Sequence, residues 1–267
     1  MTRYRRIIAI ANHKGGVGKT TSVASIGAAL ANSGYNVLLV DLDAQANLTD
    51  SLLKDKSVES TIYEAMMDGE LAPLPVVQIR ENLSLVPSCL DMAAIEIELS
   101  KRQDREYILK THIDSTEGEF DYILLDCPPS LGLITINSFT AADFVIVPLT
   151  AEALPFNGLT MIENILTMVK RNLNHYLKFV GVFLTRWEGR KLNKMVEGAL
   201  RQTYKEKLLS TKIRTNIAIA EAPLVKEDII TYSKSSRGAK DYETLTEEIR
   251  NVISELEEAE DAEKYKE

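Results

Sequence analysis

Cysteine is scarce in this 267-residue chain. The two present, Cys89 and Cys127, form no CxxC pair and belong to no Cys/His cluster with metal-ligand spacing. A disulfide scaffold, a zinc ribbon and a symmetric iron–sulfur site are thereby set aside, and two reduced thiols are expected. No apolar run approaches the roughly 18 residues of a transmembrane helix. The basic residues 1–6 lead straight into a short apolar strand, not into a signal-peptide core, which points to the cytoplasm. No linker rich in Gly, Pro or Ser divides the chain, and no internal repeat is present. A single domain over residues 1–258 is expected, followed by an acidic tail over 259–267. An excess of basic charge is also missing. Lys and Arg number 31 against 39 Asp and Glu, a net charge of -8, which argues against a constitutively basic nucleic-acid protein.

What is there is an ordinary globular composition, 45% hydrophobic and 26% charged, enough to bury a core. Short apolar runs at 7–11, 37–40, 83–86, 122–125, 144–147 and 179–184 read as strands. Their continuous apolar character implies a parallel sheet covered on both faces. Helical patterns fall between them, at about 19–33, 91–110, 157–172, 191–208 and 241–257. This alternation predicts an α/β fold, a doubly wound and mostly parallel sheet with helices on both faces, with ligands at the carboxyl ends of the strands.

The first strand runs into His13-Lys14-Gly15-Gly16-Val17-Gly18-Lys19-Thr20-Thr21. The pattern GxxxxGK[ST] lacks only its first glycine, where His13 stands. Glycines let amide N–H groups wrap a phosphate, and the following helix adds the positive end of its dipole. Lys19 is expected to reach the β and γ phosphates of ATP, and Thr20 to offer its hydroxyl to magnesium. An acid just past an apolar strand completes such a site. Asp41, Asp43 and Asp126 all qualify.

Lys14 through Thr20 resembles the deviant Walker A signature of the ParA/MinD/NifH class of P-loop ATPases. Asp41-Leu42-Asp43-Ala44-Gln45 resembles its switch I, and Asp126-Cys127-Pro128-Pro129-Ser130 its Walker B and switch II. Glu221-Ala222-Pro223 and Ser236-Arg237-Gly238-Ala239 with Tyr242 are similar to C-terminal motifs of the ParA/Soj partition ATPases. The resemblance spans about residues 6–255. It implies an ATP-dependent homodimer in which Lys14 crosses to the partner's phosphates and Asp43 orients the attacking water. The implied catalytic residues are Lys14, Lys19 and Asp43, and the magnesium ligands Thr20, Asp43 and Asp126. It also implies slow hydrolysis, accelerated by a ParB-like protein. Two departures stand out. Ala44-Gln45-Ala46 replaces Pro-Gln-Gly, and Arg214-Thr215-Asn216 replaces Pro-Arg-Asn, leaving Asn216 as the adenine contact.

Members of this class bind DNA, membrane or an iron–sulfur cluster, and local charge helps to choose. Residues 186–214 hold nine basic side chains against Glu188, Glu197 and Glu206, a face suited to sequence-independent phosphate contacts. Arg190, Lys191, Lys212 and Arg214 are the expected DNA contacts, Arg190 standing where the family places one. A solvated helix face with internal ion pairs is the alternative. Residues 247–267 carry nine acids and three bases, which anionic lipid would repel. A nucleoid-associated partition ATPase is therefore favoured over a MinD-like membrane-cycling ATPase. His13 reads as a packing or dimer-contact residue, and Trp187 as a neighbour of either the nucleotide base or the basic surface.

Overall fold

The structure is a computed structural model and describes residues 5–54, 58–67, 73–151 and 156–264. The basic residues 1–4 and the end of the expected tail, 265–267, lie outside them. Eight strands form one sheet: β1 (Arg6–Ile10), β2 (Val37–Asp41), β3 (Val77–Arg80), β4 (Leu83–Val86), β5 (Tyr122–Asp126), β6 (Phe144–Thr150), β7 (Lys178–Trp187) and β8 (Leu208–Arg214). Their spatial order is β3-β4-β2-β5-β1-β6-β7-β8. Every neighbouring pair is parallel except β3 with β4.

The helices are α1 (Lys19–Asn32), α2 (Asn47–Leu52), α3 (Ile62–Met67), α4 (Ile95–Leu99), α5 (Ile108–Ser115) and α6 (Leu133–Ala141). They continue with α7 (Phe156–Asn172), α8 (Lys191–Tyr204), α9 (Ile217–Glu221), α10 (Ile229–Tyr232) and α11 (Arg237–Lys264). Strand side chains alternate between two cores. Ile8, Ile10, Val37 and Leu39 meet Val23, Ile26 and Leu30 of α1 and Tyr242, Leu245, Ile249 and Ile253 of α11. Ile7, Ala9, Leu38 and Val40 face the opposite core, with residues of α3 to α8. Both faces are covered, which is why the strands read as unbroken apolar runs. The fold is the expected α/β doubly wound one.

Three element expectations are corrected. The helix expected at 91–110 is broken: a 3₁₀ turn (Leu90–Ala93) precedes α4, turns follow, and α5 begins only at Ile108. The Asn137 amide donates to the Arg105 carbonyl and the Arg105 guanidinium to that of Ser100, giving the intervening turns tertiary partners in place of helical ones. The helix expected to reach 208 ends at Tyr204, where Lys205 breaks the helix with a positive φ of 47°, and β8 begins at Leu208. Strand β8 hides Leu208, Leu209 and Ile213 among exposed and half-buried residues, so it lacks the continuous apolar signature of the inner strands. Helix α11 is longer than the expected 241–257 and carries the first part of the acidic segment as helix.

Strand β1 sits between β5 and β6, while the chain leaving it goes first to β2 on the far side of β5. The loop after β1 thus opens at the point where strand order reverses, the place a doubly wound sheet offers to a ligand. Ile10, Asp126 and Asp41 stand abreast across β1, β5 and β2, which sets the two carboxylates beneath that loop.

Candidate functional site

The loop from Ala11 to Gly18 joins β1 to α1. Gly16 and Gly18 have φ 73° and 91°, a left-handed region open to glycine at little cost. Gly18 caps α1, and its carbonyl accepts the first helical bond, from Ser22 N–H at 2.9 Å. The loop is anchored from outside. The Thr185 hydroxyl at the end of β7 donates to the Val17 carbonyl at 2.8 Å, and Asn12 donates to the Pro148 carbonyl at 2.7 Å. Lys19 is buried and donates to the Lys14 carbonyl at 3.3 Å. Burial lowers its pKa, with Asp126 opposing. Lys14 is exposed.

A cleft of about 740 Å³ opens over this loop. Gly15, Gly16, Val17, Gly18, Lys19, Thr20 and Thr21 line one end with Asp43, and Ile213, Arg214, Thr215 and Asn216 the other. Its size suits a nucleotide. Lys14 is not among its walls, and Asp126 lies buried beneath them.

The two buried aspartates differ. Asp41 is satisfied: its Oδ2 accepts from Thr49 N–H at 2.8 Å and Thr49 Oγ1 at 2.7 Å, and its Oδ1 from Asp43 N–H at 3.2 Å. Burial raises its pKa to about 6 even so. Asp126 is 1% exposed, and neither of its carboxylate oxygens receives a well-formed hydrogen bond. Burial, reinforced by Asp41, pushes its pKa well above the usual carboxylate range, although the Thr20 hydroxyl and Lys19 lie close enough to pull it down. A bare buried carboxylate next to a threonine hydroxyl is a donor set that fits magnesium. Asp43 is half-buried at the cleft wall, and its carbonyl accepts from the Ser88 hydroxyl at 2.8 Å. Ala46, where the family pattern has glycine, keeps a left-handed backbone with φ 49°. For alanine this costs roughly 1–2 kcal/mol.

At the other end, the Asn216 side chain caps α9, accepting from Ala218 N–H at 2.9 Å. The expected DNA contacts fall on two neighbouring elements. Arg190 and Lys191 open α8, and both are exposed. Lys212 and Arg214 lie on β8. Arg190 pairs with Glu188 at 2.6 Å, and Lys212 with Glu197 at 2.6 Å. Lys212 also stands 4.8 Å over the Trp187 ring, which places Trp187 on the basic surface. Arg214 is held by Asp241. His13 is exposed at one end of the loop and abuts Gly158 of α7, where a β-carbon would collide with the imidazole. Cys127 is buried, its thiol pushed up to about 12 by desolvation.

Thr49, Ser88, Thr185, Asp241 and Tyr242 support the site, and sequence reasoning did not pick out their roles. Thr185 left a local signal, a polar residue ending an apolar strand, and Tyr242 stands in the motif at 236–242. Thr49 acts on Asp41 eight residues away, and Ser88 and Asp241 act through partners far along the chain.

Residues 5–179 match the family described as AAA domain. The chain is 39% identical to the sporulation initiation inhibitor protein Soj of Bacillus subtilis, over 91% of this chain and 98% of that protein. It is 36% identical to the chromosome-partitioning ATPase Soj of Treponema pallidum, over 91% and 96%. Among solved structures, cobyrinic acid a,c-diamide synthase of Mycobacterium smegmatis, with bound ADP and magnesium, matches at TM-score 0.79 and 35% identity. That match covers 91% of this chain and 93% of the other, and the same protein has been solved with an ATP analogue and magnesium. ATP and magnesium are the cofactors of this chain, and the protein is an ATPase. The chain belongs to the ParA/Soj family of chromosome-partitioning ATPases.

Proposed function

We propose that ATP acts here as a dimerisation switch, that the dimer binds DNA without sequence preference, and that slow hydrolysis resets it. The observation that carries this reading is the split between the two loop lysines. Lys19 is buried inside its own cleft, whereas Lys14 is exposed and outside it. A cation exposed on a phosphate loop and outside the walls of its own cleft stands where the phosphates of a second subunit can meet it.

In this reading the amides of residues 14–21 and Lys19 hold the phosphates, and Asn216 contacts the base. Thr20 and Asp126, with Asp43 at the rim, would hold magnesium, which when bound neutralises phosphate charge. Asp43 orients the attacking water, and Lys14 from the partner stabilises the charge that develops on the transferred group. Without a second positive finger at hand, turnover is on the order of 10⁻⁴ to 10⁻² per second, as for unassisted GTPases. A ParB-like protein accelerates it.

DNA binding rests on the basic face between residues 186 and 214. Arg190, Lys191 and Arg214 are exposed there, and Arg190, Lys212 and Arg214 each pair with a carboxylate that phosphates would have to displace. The dimer is cytoplasmic and nucleoid-associated. No helix among the described residues is long and apolar enough to cross a membrane, and the acidic end of α11 repels anionic lipid.

The test is Asp43→Ala with ATP and magnesium. It is expected to bind ATP, elute as a dimer by light scattering and stay on DNA, with hydrolysis lost. A monomeric elution with ATP bound would refute the switch. Normal hydrolysis would refute the role of Asp43, and pelleting with anionic liposomes but not with DNA would favour a MinD-like cycle.

A further inference from the structure

The base end of the cleft hangs on an edge strand. Among the described residues β8 is the last strand of the sheet, and its outward N–H groups find carboxylates on α11. Glu248 accepts from Ser210 N–H at 2.6 Å and Thr211 N–H at 2.9 Å. Asp241 accepts from Arg214 N–H at 3.0 Å. Asp241 also takes the Arg214 side chain in a two-pronged grip, Nη2 to Oδ1 at 2.6 Å and Nε to Oδ2 at 3.0 Å. Such a fork fixes direction as well as distance. Asp241 is itself 8% exposed, whereas the Arg214 side chain remains 47% exposed, so the carboxylate is the fixed half of the grip.

Helix α11 touches the cleft at two more points within the same turn. Gly238 lets the start of α9 lie directly on the helix: a β-carbon there would meet Ile219 Cγ1 at 2.7 Å and Asn216 Cβ at 3.6 Å. Tyr242, the neighbour of Asp241, places its hydroxyl 3.2 Å from Ser22 Oγ. Ser22 in turn donates to the Gly18 carbonyl of the phosphate loop at 2.6 Å. Residues 238 to 242 thus bear on the base segment through Gly238 and Asp241 and on the phosphate loop through Tyr242.

We propose that Asp241 is a positioning residue for nucleotide binding. Through Arg214 it clamps the Thr215–Asn216 segment against α11, so that the adenosine half of ATP meets a preformed wall. Arg214 then serves the nucleotide rather than DNA. This rests on the reading of the cleft as the ATP site. The adenosine half depends on the clamp, and the triphosphate half does not, because the phosphate loop is built on β1, α1, β6 and β7.

The experiment uses the full chain with magnesium and compares ATP with inorganic tripolyphosphate by calorimetry. Asp241→Ala and Arg214→Ala are expected to weaken ATP about tenfold, a charge-assisted hydrogen-bond pair being lost, and to leave tripolyphosphate within about twofold. Arg214→Lys, which keeps the charge and one bond, is expected to recover most of the ATP affinity. Equal weakening of both ligands would reduce the pair to general scaffolding and overturn the proposal. So would unchanged ATP affinity accompanied by lost DNA retention in Arg214→Ala. If the unaltered protein binds ATP no better than tripolyphosphate, the reading of the cleft itself fails, a result distinct from either.

Discussion

The phosphate end and the base end of the cleft are built by opposite means. Residues 11–21 form the first almost alone, as one continuous loop whose backbone supplies the donors and whose glycines supply the curvature. The second needs β8, α9 and α11, and its two shortest bonds, both 2.6 Å, join residues 27 and 38 apart in sequence. A loop that carries its own geometry withstands change elsewhere. A wall assembled from separate segments is only as firm as the contacts between them, and so it is the natural place for selectivity and for variation.

The largest effect expected from breaking this contrast lies at the phosphate end. Lys19→Ala removes the one cation buried at the loop, and ATP affinity is expected to fall by roughly 3 kcal/mol, about a hundredfold. Calorimetry would show it, with the melting temperature of the ligand-free protein little changed because the 3.3 Å bond to the Lys14 carbonyl and the nearby Asp126 are offset by the cost of burying the Lys19 ammonium. Affinity within a few-fold of the original would mean that the loop amides alone hold the triphosphate.

The same contrast explains what could be read from the chain beforehand. The loop, its strand and its helix were legible because their determinants are adjacent in sequence. The inner strands were legible because burial on both faces leaves an unbroken apolar run. Strand β8 was not, since an edge strand shows only Leu208, Leu209 and Ile213 to the core. The 91–110 helix was misread because its periodicity could not reveal that Asn137 captures the Arg105 carbonyl. Asp41 and Asp126 looked alike, each closing an apolar strand. What separates them is Thr49, eight residues past Asp41, which feeds two hydrogen bonds to one and none to the other. Nothing next to Arg214 in sequence signals that Asp241 folds back on it.

Asp126 offers the next largest effect, and of opposite sign. A buried carboxylate without hydrogen bonds, abreast of a second buried carboxylate, is a cost to the ligand-free fold. Asp126→Asn is therefore expected to stabilise the free protein by about 1 kcal/mol, raising its melting temperature by about 2–4 °C. Magnesium-ATP should then add less stability than it does to the original chain. A fall in melting temperature without ligand would show that Asp126 finds a partner in solution and that the site is not held open for a cation.

Tyr242 sharpens the comparison because it bridges the two ends. It is fully buried in the core beneath α1, and its hydroxyl has one partner close by, Ser22 Oγ. Burial pushes that hydroxyl's pKa up to about 12, so it stays protonated and neutral. Tyr242→Phe keeps the ring and the packing and deletes only the bond to the phosphate-loop helix, a loss of about 1 kcal/mol. Ser22 still donates to the Gly18 carbonyl, but without the tyrosine hydroxyl behind it the loop is held less firmly. The expected result is a small drop in melting temperature and a similar, few-fold weakening for ATP and tripolyphosphate. The Asp241 variants, by contrast, should separate the two ligands. If Tyr242→Phe weakened ATP alone, the hydroxyl would belong to the base end, and α11 would serve one side of the cleft instead of joining both.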